Sequence, residues 1–213
     1  MLDFGFYNMD CMEGMKQFPD NYFDLAVVDP PYGINANKMT LGNGKRVVYR
    51  GSNDWDNQAP SEEYFTILFR VSKNQIIFGG NYFVEHLRAT QGWIFWDKCT
   101  GSNDFSDGEL AWTSYNRALR LYRQSWVGAN AKEKTENDRI HPTQKPVALY
   151  KWILTNYAKS GDKILDTHVD SGSSLIACYD LGFDYVGFEI DEEYYNMAKR
   201  RIEDEMAQIR FDL

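Results

Sequence analysis

The chain has 213 residues, of which 43% are hydrophobic and 15% aromatic, so its composition excludes an intrinsically disordered protein. No apolar run approaches the roughly 20 residues of a membrane-spanning helix, and the first residues lack a basic region followed by an apolar stretch. We therefore expect neither a membrane anchor nor a secretory signal. Three widely spaced cysteines argue against a disulfide framework or a zinc site and favour a cytoplasmic location.

The net charge of −8 weighs against nucleic-acid binding, because such binding depends on lysine and arginine neutralising phosphates. Basic residues nevertheless form two clusters, in 45–50 and 117–145, while acidic residues are frequent near both ends of the chain. Both basic stretches lack the periodicity of a helix or a strand. A run of charge is usually a solvated face, but its place in irregular segments favours a contact surface.

Taken in chain order, the sequence predicts strands that alternate with helices. The predicted strands are 25–28, 75–78, 92–96, 109–113, 163–166 and 185–189, and the predicted helices are 61–73, 146–159, 173–181 and 192–206. Two polar stretches, 33–60 and 120–141, are predicted as loops. The alternation predicts an α/β fold of one domain, 1–213, with a mostly parallel central sheet and helices on both faces. Such sheets bind ligands beyond the carboxyl ends of their strands.

An acidic residue, two prolines and an aromatic residue, Asp29-Pro30-Pro31-Tyr32, follow the first predicted strand. The prolines stiffen the turn and hold a carboxylate and a backbone carbonyl in fixed directions. Two acceptors aimed at one amine can bind both of its hydrogens and direct the nitrogen lone pair toward an electrophile. Tyr32 offers a flat face for a planar base that has left the nucleic-acid stack. Taken alone, the four residues are equally compatible with a simple proline turn.

A second set of motif residues lies at the ends of later strands. Residues 164–174 predict a strand, a tight turn and a helix start, where the backbone can approach a ligand and the helix N-terminus favours a carboxylate. About twenty residues later, Glu189 ends the next strand and is placed to accept hydrogen bonds from ribose hydroxyls. A helix-capping role suits Asp191 better than Glu189. The full Gly-x-Gly-x-x-Gly fingerprint is absent, which argues against a nicotinamide cofactor.

These motifs and their order resemble the β group of S-adenosylmethionine-dependent DNA amino-methyltransferases. Segment 29–32 resembles the catalytic motif, whose Asp form is typical of adenine enzymes and whose Ser form is commoner in cytosine-amine enzymes. His141-Pro142-Thr143-Gln144-Lys145-Pro146 resembles a motif beside the methionine end of the cofactor. Segment 164–174 resembles the cofactor turn, and segments 77–83, 96–98 and 109–113 resemble the middle motifs. The catalytic motif precedes the cofactor motif, which is the permuted order of the β group.

The resemblance implies a Rossmann-like methyltransferase fold, S-adenosylmethionine as cofactor, and methyl transfer to the exocyclic amine of adenine in double-stranded DNA, within a restriction–modification system. The implied catalytic residues are Asp29, Pro30, Pro31 and Tyr32. The implied cofactor-binding residues are Asp10, His141, Thr143, Gln144, Lys145, Asp166, Asp170, Ser171, Gly172, Ser173, Glu189 and Ile190. The predicted DNA-binding residues are Lys45, Arg46, Arg50, Arg117, Arg120, Arg123, Lys132, Lys134 and Arg139.

The predicted target-recognition region is short, comprising about 119–140, with the loop 33–60 as a second candidate. A small region implies either a short target site or help from a second subunit in a homodimer, and the sequence does not separate the two. His141 is expected to hydrogen-bond structurally rather than to act as a base. His86 and His168 show no ligand spacing, so we expect no metal. No cysteine is near Asp29 in the sequence, which argues against ring-carbon methylation through a thiol adduct.

The cofactor turn departs from the family pattern Asp-Pro-Phe-x-Gly-Ser-Gly. Here Asp166 is followed by Thr167 and His168, and Asp170 stands where glycine is expected. Asp tolerates a positive φ less well than Gly and adds negative charge, so we expect weaker cofactor binding. Three alternatives remain: methylation of cytosine N4 or of an amine in RNA or protein, a DNA-binding protein that has lost its cofactor, and a nucleotide-binding oxidoreductase, which the proline motif disfavours.

Overall fold

The computed structural model describes residues 1–34, 56–100, 106–125, 140–141 and 143–207. The strands in these residues are β1 (Gly5–Asn8), β2 (Phe23–Val28), β3 (Ser72–Phe78), β4 (Trp93–Asp97), β5 (Gly108–Thr113), β6 (Arg120–Arg123), β7 (Lys163–Asp166) and β8 (Asp184–Glu189). The α-helices are α1 (Cys11–Met15), α2 (Glu62–Val71), α3 (Val147–Tyr157), α4 (Ser173–Leu181) and α5 (Glu192–Ala207). None of these helices is long and apolar enough to cross a membrane.

The eight strands form one sheet in the order β1-β8-β7-β2-β3-β5-β4-β6. The first five run parallel, β5 is antiparallel to both β3 and β4, and β6 pairs with β4 in parallel. The predicted α/β class with a mostly parallel sheet is therefore confirmed. Because parallel strands point the same way, the carboxyl ends of β1, β8, β7, β2 and β3 meet at one edge of the sheet.

Alternating side chains place a core on each face of the sheet. In β2, Leu25 and Val27 pack in one cluster with side chains of α3 and α4, whereas Ala26 and Val28 pack in the other cluster with α1 and α2. All four side chains are buried. A strand that is buried on both faces reads as a continuous apolar run rather than an alternating one, which is why the sequence predicts β2.

Three elements differ from the sequence prediction. β1 and α1 lie in a segment for which the sequence predicts no element, and β6 occupies the start of a stretch, 120–141, that is predicted to be irregular. The prediction for 120–123 is wrong because β6 is a largely exposed edge strand with arginine at both ends, so it lacks an apolar pattern. Its register with β4, which pairs Ile94 with Arg120 and Asp97 with Arg123, defines it instead.

Candidate active site

A cavity of about 570 Å³ lies beyond the carboxyl ends of β1, β2, β7 and β8. Its volume is within the range typical of small-molecule sites, which is about 300–1,000 Å³. Ten of the sixteen residues predicted to be catalytic or cofactor-binding line it, namely Asp10, Asp29, Pro30, Pro31, Tyr32, His141, Thr143, Asp170, Glu189 and Ile190. The sheet therefore brings together residues that are up to 180 positions apart, counted from Asp10 to Ile190.

One corner of the cavity is formed by the turn after β2. Asp29 is only 9% exposed, and its Oδ1 accepts a hydrogen bond of 2.7 Å from the Tyr32 hydroxyl. The Tyr32 ring stacks on Tyr82, with 4.9 Å between ring centroids and 16° between planes. Gly79 adopts a positive φ of 65°, and a Cβ there would overlap the Tyr32 ring. The backbone at the end of β3 thus makes room for Tyr32 in a way that only glycine allows.

Lys145 lies behind this corner rather than in the cavity wall. Its ammonium donates to Oδ2 of Asp29 and lies 3.3 Å from Oε2 of Glu109 on β5. Glu109 in turn accepts from Lys98 at 2.5 Å. Burial lowers the pKa of Lys145, but the Asp29 and Glu109 carboxylates outweigh burial and raise the pKa above its ordinary value. We call Asp29, Tyr32, Lys98, Glu109 and Lys145 the Asp29 corner.

Thr167, His168 and Asp170, in the turn that follows β7, form another part of the cavity wall, and we call residues 166–173 the Asp170 turn. Asp170 has a φ of 53°, the left-handed conformation that glycine adopts without cost. Its amide donates to Oε2 of Glu189 at 3.0 Å, and Thr143 donates to its Oδ2 at 3.5 Å. Burial, followed by the charges of Glu189 and Asp29, raises the pKa of Asp170 well above its ordinary value.

Glu189 ends β8 and ties the neighbouring loops together. Its carboxylate accepts from the amide of Asp170 and, at 2.9 Å, from the amide of Asp191. Burial raises the pKa of Glu189 to about 7. Asp10, which follows the neighbouring strand β1, caps α1 by accepting from the amide of Met12 at 2.7 Å. Both carboxylates keep free lone pairs after these bonds, so both can still accept from a ligand.

His141 forms part of the wall as a neutral group. It is 2% exposed, packs edge-on against Tyr194 at 4.4 Å and lies 2.9 Å from the Thr143 hydroxyl. Burial, with a contribution from Lys145, lowers the pKa of His141 to about 3. An imidazole with that pKa carries no charge near neutral pH, so it can hydrogen-bond but gives no cation to the cavity.

Six predicted cofactor residues do not line the cavity: Gln144, Lys145, Asp166, Ser171, Gly172 and Ser173. The side chains of several of them hold the surrounding loops instead. Gln144 accepts from the amide of Ile140 at 3.0 Å. Asp166 accepts from Ser174 and from the amide of His168. The Arg201 guanidinium of α5 donates to the Ser171 carbonyl and to Ser173. These contacts hold in place the loops that form the cavity wall.

The cavity also contains residues that the sequence analysis missed. Met9, Phe188 and Tyr194 add apolar and aromatic surface, and each lies near a predicted residue in sequence or one turn into α5. Cys11, which is far from Asp29 in sequence, lines the same cavity. Burial raises the pKa of Cys11 to about 12, so this thiol stays protonated. A protonated thiol is a poor nucleophile, so the position of Cys11 in the cavity wall does not by itself favour a thiol adduct.

The charges around the cavity are of one sign. Six lining residues carry carboxyl groups, namely Asp10, Asp29, Asp56, Asp170, Glu189 and Asp191, and no lysine or arginine is found among the described residues of the wall. Such a cavity favours a ligand that brings positive charge. In the part of the chain that the structure describes, no group of three His, Cys, Asp or Glu side chains is arranged to hold a metal ion.

The predicted DNA-binding residues are only partly within the described residues; Lys45, Arg46, Arg50, Lys132, Lys134 and Arg139 lie outside them. Arg123 ends β6 at the edge of the sheet where the cavity opens, and it donates to Asp97 at 2.8 Å. Arg120 begins the same strand and is exposed. Arg117 lies at the opposite edge, where it donates to the Asn156 carbonyl at the end of α3. Of these three arginines, Arg123 is the best placed for a ligand at the cavity.

Comparisons with known proteins agree with this architecture. A family model described as DNA methylase (N6_N4_Mtase) matches residues 85–200. Type II methyltransferase M.HpaI of Haemophilus parainfluenzae is 26% identical over 92% of this chain and 73% of its own length. The crystal structure of the M1.HpyAVI–SAM complex has a TM-score of 0.60 at 20% identity, covering 92% of this chain and 98% of that one.

The cytosine-N4-specific PvuII DNA methyltransferase has a TM-score of 0.62 at 13% identity, covering 96% of this chain and 92% of its own. Fold similarity at this level of identity does not distinguish target bases, because one fold supports several activities. The family match, by contrast, spans more than half of the sequence. The chain therefore belongs to the DNA methylase family.

Proposed function

We propose that this DNA methylase transfers the methyl group of S-adenosylmethionine to the exocyclic amine of adenine in double-stranded DNA. One observation carries the proposal. Asp29 is buried at the end of β2, with Oδ2 bound by Lys145 and Oδ1 bound by the hydroxyl of Tyr32, at the wall of a cavity of about 570 Å³. A carboxylate held in this way is suited to bind one amine beside the flat ring of Tyr32.

The chemistry of the cavity fits the proposed cofactor. S-adenosylmethionine carries a sulfonium and an ammonium, and the wall is rich in carboxyl groups. Glu189 would accept from its ribose hydroxyls, in the position that acidic strand ends occupy in nucleotide sites. Met9, Phe188 and Ile190 supply apolar surface for its adenine ring. When bound, this cofactor supplies an electrophilic methyl group. The M1.HpyAVI complex, which has a similar fold, contains the same cofactor.

The remaining steps belong to the residues of the Asp29 corner. The target base leaves the DNA stack and lies against the Tyr32 ring, because chemistry on a base requires access that the duplex denies. Asp29 Oδ1 and the Pro30 carbonyl accept the two amine hydrogens and direct the nitrogen lone pair toward the cofactor site. Asp29 then accepts the proton that the methylated nitrogen gives up. Most of the rate enhancement would come from positioning and electrostatics.

Adenine is proposed over cytosine because residue 29 is Asp rather than Ser. The fold itself is shared with a cytosine-N4 enzyme, so the second candidate is methylation of cytosine N4. Both reactions use an exocyclic amine, and both would place that amine between Asp29 and the Pro30 carbonyl. The choice between them therefore depends on which base fits against Tyr32.

The test is to incubate the purified chain with S-adenosylmethionine and unmethylated duplex DNA, digest the DNA to nucleosides and identify the products by mass spectrometry. N6-methyldeoxyadenosine is expected, and it should be missing with Asp29→Ala. N4-methyldeoxycytidine would replace the proposal by its alternative. Cofactor binding in calorimetry without either product would mean that the chain is a binding protein, whereas no binding would remove the cofactor assignment.

A further inference from the structure

We propose that Lys145 is a positioning residue for methyl transfer: held between Glu109 and Asp29, it fixes Oδ2 of Asp29 and stabilises the carboxylate form of that buried side chain. The inference rests on the proposed function, in which Asp29 accepts the target amine. It also gives Lys145 a different task from the cofactor contact that its motif implied. Three elements that are distant in sequence converge to build this arrangement.

The geometry links four charged side chains in a row. Asp29 follows β2, Lys145 precedes α3, Glu109 belongs to β5 and Lys98 follows β4. The ammonium of Lys145 donates to Asp29 and lies 3.3 Å from Glu109, and Glu109 lies 2.5 Å from Lys98. The Lys145 ammonium also lies 4.7 Å from the centroid of the Phe78 ring. The row holds two negative and two positive charges, so it is neutral as a whole.

A buried lysine requires an explanation, because removing an ammonium from water is unfavourable unless it is well paired. Lys145 is 3% exposed. A second lysine close by, on α3, provides a comparison: Lys151 pairs with the buried Asp180 at 2.5 Å, but its own side chain remains 40% exposed. The Lys151 pair has the form of an ordinary surface tether, whereas the Lys145 pair is enclosed and adjoins the cavity. Buried charge next to a cavity is a mark of functional sites.

The two oxygens of Asp29 have different partners. Oδ2 is bound by Lys145, which is enclosed, while Oδ1 is bound at 2.7 Å by the hydroxyl of Tyr32, which lines the cavity. An amine that enters the cavity can therefore replace the Tyr32 hydroxyl at Oδ1 without disturbing Oδ2. Lys145 holds the carboxylate in place while its other oxygen changes partner. This arrangement is the preorganisation that positioning catalysis requires.

The charged and titratable groups around Asp29 come from several elements. They are Lys145 before α3, Glu109 on β5, Tyr32 in its own turn, Tyr64 on α2, Tyr150 on α3, Asp166 on β7 and Asp170 in the Asp170 turn. Burial raises the pKa of Asp29, Lys145 opposes this most strongly, and Glu109 raises the pKa further. Removing Lys145 should therefore raise the pKa of Asp29, and neutralising Glu109 should lower it.

The deciding experiment measures the pKa of Asp29 in the cofactor-free chain. Protein labelled with ¹³C at aspartate carboxyls is titrated by NMR, and the Asp29 signal is identified by its loss in Asp29→Asn. We expect this pKa to rise in Lys145→Met and to fall in Glu109→Gln. Lys151→Met is the matched control and should leave it unchanged. Glu109→Gln keeps the shape of the side chain, so it tests the row of charges even where Lys145→Met does not fold.

The same variants are then compared in single-turnover methyl transfer to unmethylated duplex DNA. Lys145→Met should slow transfer about 100-fold near neutral pH and move the acid limb of the pH–rate profile upward, while Glu109→Gln should move it downward. Lys151→Met should match the wild type. Unmoved Asp29 pKa values and acid limbs in an active enzyme would overturn the role of Lys145. Absence of transfer by the wild type, with the expected NMR shifts, would instead overturn the proposed function.

Discussion

The Asp29 corner and the Asp170 turn lie at the same edge of the sheet but differ in charge balance. In the corner, Asp29 and Glu109 are matched by Lys145 and Lys98. In the turn, Asp170 has His141 at 3.6 Å as its ion-pair contact, and burial keeps that histidine neutral near pH 7 by lowering its pKa to about 3. The neighbouring Glu189 has a pKa raised to about 7.

The difference indicates two kinds of site within one cavity. The charges of the Asp29 corner are balanced before any ligand binds, so the geometry of the corner is set in advance. Substitutions there should therefore slow methyl transfer. The turn holds negative charge that is relieved either by taking up protons or by binding a cation. Substitutions and pH changes at the turn should therefore tune cofactor affinity.

The largest effect is expected from Asp29→Asn. The asparagine side chain keeps the size of aspartate. It lacks the negative charge that pairs with Lys145 and strengthens the hydrogen bond from the amine of the target base. Methyl transfer should fall about 1,000-fold in single-turnover assays, while calorimetry should give an unchanged affinity for S-adenosylmethionine. Asp24→Asn is the control, since Asp24 lies on the same strand and pairs with Lys73 at 2.6 Å. Equal loss of cofactor affinity in Asp29→Asn would show that the two sites are not separate.

Gly79→Ala should have the next largest effect, about 100-fold on methyl transfer, because the new Cβ overlaps the Tyr32 ring. Gly161→Ala is a matched control: Gly161 also has a positive φ, 84°, but a Cβ at this position would meet no atom of the described residues within 4 Å. Both variants carry the backbone cost of a left-handed residue. Only Gly79→Ala should displace Tyr32, and its cofactor affinity should stay at the wild-type value. Similar activities for the two variants would exclude a steric role for Gly79.

The fold was predictable wherever burial imposes a pattern. The strands that flank the cavity, β2, β7 and β8, are apolar runs that end at an acidic or proline-rich turn, and the sequence places them within about two residues. β1 and β6 are four-residue strands that exist through pairing with β8 and β4, so no local pattern identifies them. Strand pairing between distant segments is a property of the whole sheet.

The site residues, like the strands, were predictable where a local sequence pattern marks them and were missed where their position depends on strand pairing. Asp29, Tyr32 and Glu189 were predicted because each follows or ends an apolar strand. Glu109 was missed as a partner of the corner, because its position depends on β5 running antiparallel to β3. That direction brings the amino end of β5, and Glu109 with it, to the carboxyl end of β3. A short motif does not encode the antiparallel pairing of two distant strands, so the sequence around Glu109 does not reveal its contact with Lys145.

A smaller effect, about tenfold, is expected at the turn from Asp170→Gly. Glycine adopts the φ of 53° without cost and removes a buried carboxyl group beside Glu189. S-adenosylmethionine should bind more tightly in calorimetry, because the cavity wall loses the bulk of the Asp170 side chain while Glu189 still supplies negative charge, and the rate of methyl transfer at saturating cofactor should change little. Asp170→Asn serves as the comparison, because it removes the charge but keeps the bulk and the positive φ. Unchanged affinity in both variants would show that Asp170 does not limit cofactor binding.

The smallest predicted effect concerns pH. Glu189 has a pKa raised to about 7, so it gains charge as the pH rises through that value and is protonated below it. Between pH 6.5 and 7.5 its ionised fraction increases about threefold, and the affinity for S-adenosylmethionine should rise by a similar factor, since the ionised form accepts from ribose hydroxyls and attracts a cation. Glu189→Gln should flatten this dependence in calorimetry. The affinity for S-adenosylhomocysteine, which lacks the sulfonium charge, should rise less steeply with pH. If the affinity for S-adenosylmethionine fell with rising pH, the acidic turn would not be a site that attracts a cation.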